Sequence, residues 1–429
     1  MRAVGEETLQ PCPQCGTEIR TDARFTRWCA ACDWNVDPER AESDEKRSRL
    51  ESLRHELAQR YGEQLLAELS AEGEQRRGGR DTAGILAYAI ALAVHGVTAT
   101  LVASGLWILI AGSGAVAKGL GILLLALAWP LRPRLNRLPK DARVLTRTEA
   151  PELYGLVDEI ARTLGTKGVD TIVVDTEVNA SVTHYGLGRR LLTLGIPLWE
   201  VLTPQQRIAL LGHELGHFTN GDTRHGLVVG TAYRSLSLWH YFLAPTPNPT
   251  LLEMFVNLVY LVPRSLIQGV LMLLDLLTAR ASQRSEYLAD AVAARAGSTE
   301  AAVGLMDRLL VTDSVVTTLH RETNSRRTRR PGQSSTDDSE GLWEALTAHM
   351  TSIPPSEYDR QRRAAALRGH SVDSTHPPTH LRRRLLLTGP PAPATVTADA
   401  GRADLIATEL TGARKALARE VVRDGYRGV

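Results

Sequence analysis

The stretch TPQQRIALLGHELGHFTNG, residues 203–221, holds the pattern on which the predicted fold is centred. Its first residues resemble a helix start: Thr203 is a favourable N-cap, Pro204 suits the first helical position, and Gln206 can complete a capping box. Gly221 can adopt the left-handed conformation that commonly ends a helix. The stretch therefore predicts a single helix that begins at about residue 203 and ends near residue 221.

Within this helix, His213-Glu-Leu-Gly-His217 has the HExxH spacing of a metal site. Histidines four residues apart lie on one helical face, so both imidazoles can reach one ion. Glu214 is rotated off that axis and can hold a metal-bound water without being a ligand. Zinc lowers the pKa of such a water, and the carboxylate can take its proton and pass it to a leaving amine. The pattern predicts a zinc metallopeptidase with Glu214 as general base; a purely structural helix is the alternative, because so short a pattern also arises by chance.

A zinc site with an open coordination position needs a third protein ligand. The metzincin continuation would require Gly at 220 and His at 223, but the chain has Asn220 and Thr223, which excludes that class. The other solution is a glutamate on a later helix, with an aspartate four residues further on. Glu286 and Asp290 fit it, with Glu286 as the ligand and Asp290 accepting a hydrogen bond from a ligating histidine. For an isolated pair of this kind, a solvated helix face is the alternative.

A second metal site is predicted near the N-terminus, where all four cysteines of the chain lie. They form two CxxC pairs, Cys12 with Cys15 and Cys29 with Cys32, about a hairpin apart. Four thiolates at this spacing can close a tetrahedral zinc site without an open position, which makes the metal structural. We predict a zinc ribbon over residues 1–40 that folds on binding its metal. A redox-active pair is the alternative, and a protein partner suits the ribbon better than nucleic acid.

Residues 83–111 contain no charged side chain and exceed the roughly 20 residues that cross a bilayer. A short GSG break and a second apolar stretch, 116–131, follow. We predict a transmembrane helical hairpin over residues 81–138, with a buried hairpin of a soluble protein as the alternative. Arginines and lysine flank both ends, whereas the connecting turn has only Lys118, so the positive-inside rule places both ends in the cytoplasm. The zinc ribbon and the downstream domain would then share that side.

The composition bears on the number of folded units, on the kind of partner and on the cellular compartment. The 429 residues are too many for one small core, and a formal net charge of +2 gives no electrostatic case for nucleic acid as the main partner. The first residues lack the basic-then-apolar pattern of a signal peptide. Together with cysteines confined to one cluster, this favours a cytoplasmic N-terminus in a reducing compartment.

The rest of the chain divides into a linker and one large domain. Residues 41–80 are charged and helix-prone. Their apolar residues recur at a helical spacing that suits an amphipathic helix or a short coiled coil, at Leu50, Leu53, Leu57, Leu65, Leu66 and Leu69, and we predict a solvated helical spacer. We predict a mainly helical domain over residues 139–429. Three closely spaced strands, predicted at 169–175, 179–183 and 189–196, would form its small sheet. A mobile loop is predicted at 320–340, where the sequence is polar and contains Pro, Gly and several Ser residues.

At this point the chain resembles the membrane-bound gluzincins, which include the CAAX prenyl endopeptidase and the bacterial heat-shock protease HtpX. The likeness runs from about residue 140 to 390 and rests on four motifs in order. They are Asn179-Ala180, the HELGH helix followed by Asn220-Gly-Asp222, Glu286…Ala289-Asp290, and Thr375-His376-Pro-Pro-Thr-His-Leu-Arg382. The resemblance implies a mainly α (α+β) fold, a helical zincin-type metallopeptidase domain with a small β-sheet, and protein or peptide substrates.

Two further roles are implied by the resemblance alone. Asn179 and Ala180 would belong to an edge strand that binds substrate backbone by β-addition. His376 and Arg382 would face the developing oxyanion, where a well-placed donor is worth about a hundredfold in rate.

The chain also departs from the family pattern in three places. Ser181 stands where an aromatic residue is usual, which bears on substrate fit, and Gln283 stands where an arginine is usual. The segments 226–244 and 251–279 carry charged residues and are less apolar than true spanning helices. They could span the membrane, lie in its interface or pack as a soluble helical cap, and we favour the last two.

These features lead to one principal hypothesis and one alternative. The principal hypothesis is a zinc-dependent metalloendopeptidase at the cell membrane, with one catalytic and one structural Zn²⁺, facing the cytoplasm and in contact with membrane lipid. The alternative is a catalytically inactive membrane scaffold that recruits partners through the zinc ribbon. The sequence leaves the substrate and its cleavage preference open.

Overall fold

The computed structural model describes residues 8–38, 49–72, 82–132, 136–186, 188–219, 222–328, 339–368, 377–397 and 399–427. The strands are β1 (Thr8–Pro11), β2 (Glu18–Thr21), β3 (Arg143–Leu145), β4 (Thr171–Asp175), β5 (Ala180–Tyr185) and β6 (Arg189–Gly195). The first seven helices are α1 (Arg49–Glu72), α2 (Thr82–Ala111), α3 (Ala115–Leu131), α4 (Pro151–Thr163), α5 (Ile196–Val201), α6 (Pro204–Thr219) and α7 (Asp222–Phe242). The others are α8 (Leu251–Gly297), α9 (Thr299–Leu310), α10 (Thr312–Arg327), α11 (Leu342–Thr351), α12 (Pro355–Arg368), α13 (Thr379–Thr388) and α14 (Ala400–Asp424). The fold is mainly α with small sheets, as predicted.

A four-stranded sheet has the order β3-β4-β6-β5, with β4 and β6 parallel and the other neighbours antiparallel. The strands predicted at 169–175, 179–183 and 189–196 are confirmed as β4, β5 and β6. The three residues of β3 are too few to show a period-two pattern, so the sequence did not predict them. One face of the sheet contributes Ile172 and Leu192 to the main hydrophobic core. The topology leaves β5 at the edge of the sheet.

The helices α2 and α3 form a close antiparallel pair. A Cβ added to Gly105 would lie 3.0 Å from the carbonyl oxygen of Gly121, so these two glycines allow the backbones to approach. Of the described helices, α2 and α8 are long and apolar enough to cross a membrane. The 17 residues of α3 fall short of the roughly 20 that a straight span requires. The hairpin boundaries therefore stay a prediction.

The first half of α8 departs from expectation. None of the side chains from 251 to 270 is buried, although many are large and apolar. The expectation that this segment packs as a soluble cap is therefore wrong. So large an apolar surface is typical of contact with lipid or a partner.

The prediction that residues 41–80 form a solvated spacer is also wrong for α1. Leu65 and Leu66 are each 3% exposed and pack against Tyr287 of α8 and Leu381 of α13. The leucine spacing predicted an apolar stripe, but sequence alone gave no partner for it. In the structure, the apolar stripe of α1 packs against α8 and α13.

One helix end differs from the sequence prediction, and another lies outside the described residues. The mobile loop predicted at 320–340 is wrong in its first part, because α10 continues to Arg327 and buries Thr323 and Arg326. The guanidinium of Arg326 donates a hydrogen bond to the carbonyl oxygen of Glu340 at 2.5 Å, which fixes this region. Residues 329–338 lie outside the described part of the chain. The same holds for Gly221, the predicted end of α6, which is described as far as Thr219.

The zinc ribbon docks on the large domain of its own chain. Trp28 and Val36 enclose Ala364 of α12 in a small buried cluster. The buried guanidinium of Arg360, also on α12, donates to the carbonyl oxygen of Val36 at 2.8 Å. The ribbon thus contacts the helix that leads toward α13.

This docking predicts a selective effect of charge on α12. Ala364→Glu places an unpaired carboxylate between Trp28 and Val36, at a cost of several kcal/mol, and should detach the ribbon. Ala366→Glu on the exposed side of α12 is the matched control. We expect limited proteolysis to release the N-terminal 40 or so residues much faster from the first variant. Equal release from both variants would contradict the docked arrangement.

Candidate metal centre

The centre is built where α6 crosses α8 at very short range. A Cβ added to Gly212 would lie 2.8 Å from the Cβ of Ala296, and one added to Gly216 would lie 3.1 Å from the Cα of Ala289. Real side chains do not tolerate such contacts, so small residues on both helices are required. The crossing brings the metal-binding turn of α6 against the second half of α8.

The start of α6 is fixed by the predicted capping box. The backbone N–H of Thr203 donates to Gln206 Oε1 at 3.0 Å, and the N–H of Gln206 donates to Thr203 Oγ1 at 3.3 Å. Gln205 Nε2 donates to the carbonyl oxygens of Gly297 and Val396, both at 2.8 Å. The first turn of α6 is thereby tied to the last residue of α8, which fixes the two helices along their axes.

The three predicted ligands of the catalytic metal converge at this crossing. His213 Nε2 lies 3.5 Å from Glu286 Oε2, and His217 Nε2 lies 3.6 Å from Glu286 Oε1. One ligand atom from each residue lies within 4.8 Å of the other two. Zinc bonds of about 2.0–2.2 Å to nitrogen and oxygen imply tetrahedron edges of roughly 3.4 Å. The spacing and the donor types therefore fit a zinc ion.

Asp290 lies next to His213, as the sequence predicted. Its Oδ1 is 3.0 Å from His213 Nδ1, so the carboxylate can accept the Nδ1 proton and leave Nε2 free for a metal. Arg382 of α13 holds the same carboxylate with two hydrogen bonds, Nε to Oδ2 at 2.8 Å and Nη2 to Oδ1 at 2.6 Å. Its Nη2 is also 3.6 Å from Glu286 Oε2. Sequence reasoning did not foresee this pairing, and no local spacing links residues 92 positions apart.

The electrostatics of this buried group depend on Arg382. Burial alone would raise the pKa of Asp290, but the adjacent Arg382 guanidinium and the bond to His213 lower it, so Asp290 stays ionised. Burial would lower the pKa of His213, yet its bonds to Asp290 and Glu286 raise the pKa to about 9. The two carboxylates therefore favour positive charge at His213, which a metal bound to the imidazole would supply in place of a proton.

The remaining predicted site residues are placed as follows. Glu214 is 7% exposed, and its negative charge lies close enough to Arg382 to help raise the pKa of that guanidinium. Asn179 directly precedes β5, and its Oδ1 accepts from the N–H of Ala180 at 2.9 Å. His376 lies outside the described residues, so its predicted role stays a prediction.

The four cysteines of the ribbon also come together. Cys12 Sγ lies 3.7 Å from Cys32 Sγ, and Cys15 Sγ lies 3.6 Å from Cys29 Sγ. Zinc–sulfur bonds of about 2.3 Å imply tetrahedron edges of roughly 3.8 Å. The cluster therefore has the dimensions of a closed tetrathiolate zinc site, remote in sequence from the first.

The close crossing of α6 and α8 predicts the effect of a larger side chain. Gly216→Val forces the helices apart and should remove the metal at the histidines while leaving the ribbon metal in place. Gly412→Val, at an open position on α14, is the control. Elemental analysis should give about one zinc per chain for the first variant and two for the control. Two zinc ions in both variants would mean that the crossing does not form the site.

Comparisons with known proteins indicate one family. The profile of peptidase family M48 matches residues 147–388, more than half of the chain. The chain is 34% identical over 80 residues to Protease HtpX homolog 1 of Sulfurisphaera tokodaii, a match covering 18% of this chain and 25% of the relative. It is 27% identical over 164 residues to Protease HtpX of Pseudomonas putida, covering 37% and 56% of the two chains.

These matches cover part of each relative rather than its whole length. The chain spans between a quarter and just over half the length of these two relatives. The matched profile, by contrast, includes β4 to β6 and the helices α6, α8 and α13 that carry the candidate centre. The chain belongs to peptidase family M48.

Proposed function

We propose that the chain is a membrane-associated zinc metalloendopeptidase of the HExxH-plus-distal-glutamate type. The observation that carries the proposal is the convergence of His213, His217 and Glu286, with Glu214 buried beside them. A carboxylate next to a three-ligand metal site has the established role of moving a proton.

The proposed reaction uses the residues in distinct ways. A zinc ion at this centre would supply a Lewis acid for the scissile carbonyl and would make an adjacent water more acidic. Glu214 takes the proton from the attacking water and later gives it to the nitrogen of the leaving amine. Asp290 holds the His213 ring in the tautomer that presents Nε2, and Arg382 keeps Asp290 ionised. Arg382 is also the proposed partner, with His376, of the developing oxyanion.

The proposed substrate is an extended peptide segment. Strand β5 lies at the sheet edge beside α6, since the His184 ring packs edge-on against Phe218 at 5.2 Å between centroids. Backbone pairing with an edge strand recognises any extended chain and leaves side-chain pockets to set preference. We assign Asn179 and Ala180 to this binding edge.

We further propose that the enzyme acts at the cytoplasmic face of the cell membrane. The apolar surfaces of α2 and of the first half of α8 suit contact with lipid. The basic residues that flank the hairpin at 81–138 favour a cytoplasmic position for both of its ends. The ribbon zinc is proposed as structural, which gives two zinc ions per chain with different chemistry.

Replacement of the general base tests the catalytic proposal directly. Glu214→Gln keeps the shape of the site but cannot accept a proton, so hydrolysis of unfolded casein should fall by about 10²–10⁴-fold. Zinc content should not change. Glu300→Gln, at an exposed position in α9, serves as the control. Equal cleavage by Glu214→Gln and the unmodified protein would instead support a scaffold without catalysis.

The role of Asp290 leads to a separate prediction. Asp290→Asn removes the charge that orients His213 and the closest counter-ion of Arg382, which keeps the longer contact with Glu286, so affinity for the catalytic zinc should fall about 10–100-fold. The ribbon zinc should be unaffected. Competition with a chelator distinguishes the two ions by their rates of loss. A variant with a lower melting temperature but unchanged zinc affinity would show that Asp290 supports only the fold.

A further inference from the structure

The backbone groups along β5 alternate between the sheet and its outer edge. The carbonyl oxygen of Asn179 accepts from the N–H of Gly195 at 2.8 Å, so residue 179 faces β6. In an antiparallel pair, every second residue has the same orientation. Ser181 and Thr183 therefore also face β6. The N–H and C=O groups of the residues between them point outward.

The partner strand confirms this alternation independently. In the register of β5 and β6, His184 stands opposite Arg190. The carbonyl oxygen of Arg190 accepts from the N–H of Asp170 on the far side of β6, at 2.9 Å. Arg190 thus faces away from β5, and His184, as its non-bonded partner, faces away from β6. Its carbonyl points to the edge where a substrate strand would be added.

Asn136 occupies this outer edge at the end of β5. Its Nδ2 donates to the carbonyl oxygen of His184 at 3.2 Å, and its own backbone carbonyl accepts from the N–H of Gly186 at 2.9 Å. These are the two groups that a longer added strand would use. Arg234 Nη2 donates to Asn136 Oδ1 at 2.8 Å, and Nδ2 also reaches Thr183 Oγ1 at 3.3 Å, so the amide is held in this orientation.

We propose that Asn136 terminates the substrate strand and thereby sets its register on β5. The proposal rests on the proposed peptidase function and names a specificity-determining residue for it. An extended peptide pairs with the outward carbonyl of Ala180, whose N–H donates to Asn179 Oδ1, and with the outward groups of Val182, and it stops before His184. Residues of the peptide beyond that point gain no backbone hydrogen bonds. The substrate class is therefore an unfolded segment that needs only a short extended stretch on this side of the cleaved bond.

The register matters because one residue of slip reverses which side chains face the enzyme. A strand that could slide along all of β5 would present several peptide bonds to the metal centre. A fixed end point removes those alternatives. The residue that provides it lies at the C-terminal end of the segment 81–138 predicted as the hairpin, so the end point is set by the segment that leaves the membrane.

The test compares peptides of increasing length in the full-length zinc-loaded protein. For the unmodified protein, kcat/KM should stop rising once the peptide covers Val182. Asn136→Ala frees the His184 carbonyl, so a peptide longer by two residues should gain one hydrogen bond and about a two- to tenfold higher kcat/KM. Mass spectrometry of the products should show a second cleavage position, shifted by two residues.

The control is Glu300→Gln, at an exposed position in α9 outside this edge. It should keep the length dependence of the unmodified protein. Should Asn136→Ala prove unstable, Asn136→Asp retains the contact to Arg234 and repels the same carbonyl, and is expected to show the same gain. The proposal is overturned if neither Asn136 variant changes the length dependence or if Glu300→Gln changes it equally. Absence of Glu214-dependent cleavage in the unmodified protein would refute the peptidase function instead.

Discussion

The centre depends on the close approach of α6 and α8. Two glycines on α6 face alanines on α8, and their missing side chains let one helix carry the two histidines to within reach of Glu286 on the other. Cores of this density do not adjust continuously, so a shift of about 1 Å would break a coordination sphere with tight distance limits. The capping box fixes the first turn of α6, and the hydrogen bond from Gln205 to Gly297 at the end of α8 prevents the two helices from sliding along their axes.

Sequence reasoning succeeded where the chemistry is local. The helix around His213, the strands β4 to β6, the clustered cysteines and the Glu286/Asp290 spacing all follow from short patterns, because periodicity and capping act within a few residues. Glu286, the third ligand, is distant in sequence from the two histidines. Zinc chemistry nevertheless limited the candidates for this ligand to carboxylates followed by a second acidic residue.

The contacts that sequence reasoning missed are tertiary. The leucines of α1 indicate an apolar stripe, but nothing near them points to Tyr287 and Leu381 as their partners. Likewise, Arg382 stands in a basic run with Arg383 and Arg384. The family resemblance singled it out, but only the folded chain shows that it is buried and pairs with Asp290. For residues 320–340, the polar composition predicted a loop. The chain instead continues as a helix to Arg327, because burial of Arg326 stabilises it.

The position of α1 has a consequence for how the catalytic region can exist alone. Leu65 and Leu66 cover Tyr287, the neighbour of Glu286, and Leu381, the neighbour of Arg382. A chain shortened to begin after the hairpin would retain every proposed catalytic group, yet it would expose the apolar surface next to them that Leu65 and Leu66 cover. Such a fragment would tend to self-associate through that face. Independent folding of the M48-matching region thus requires a helix that lies outside the family match, about 75 residues upstream of it.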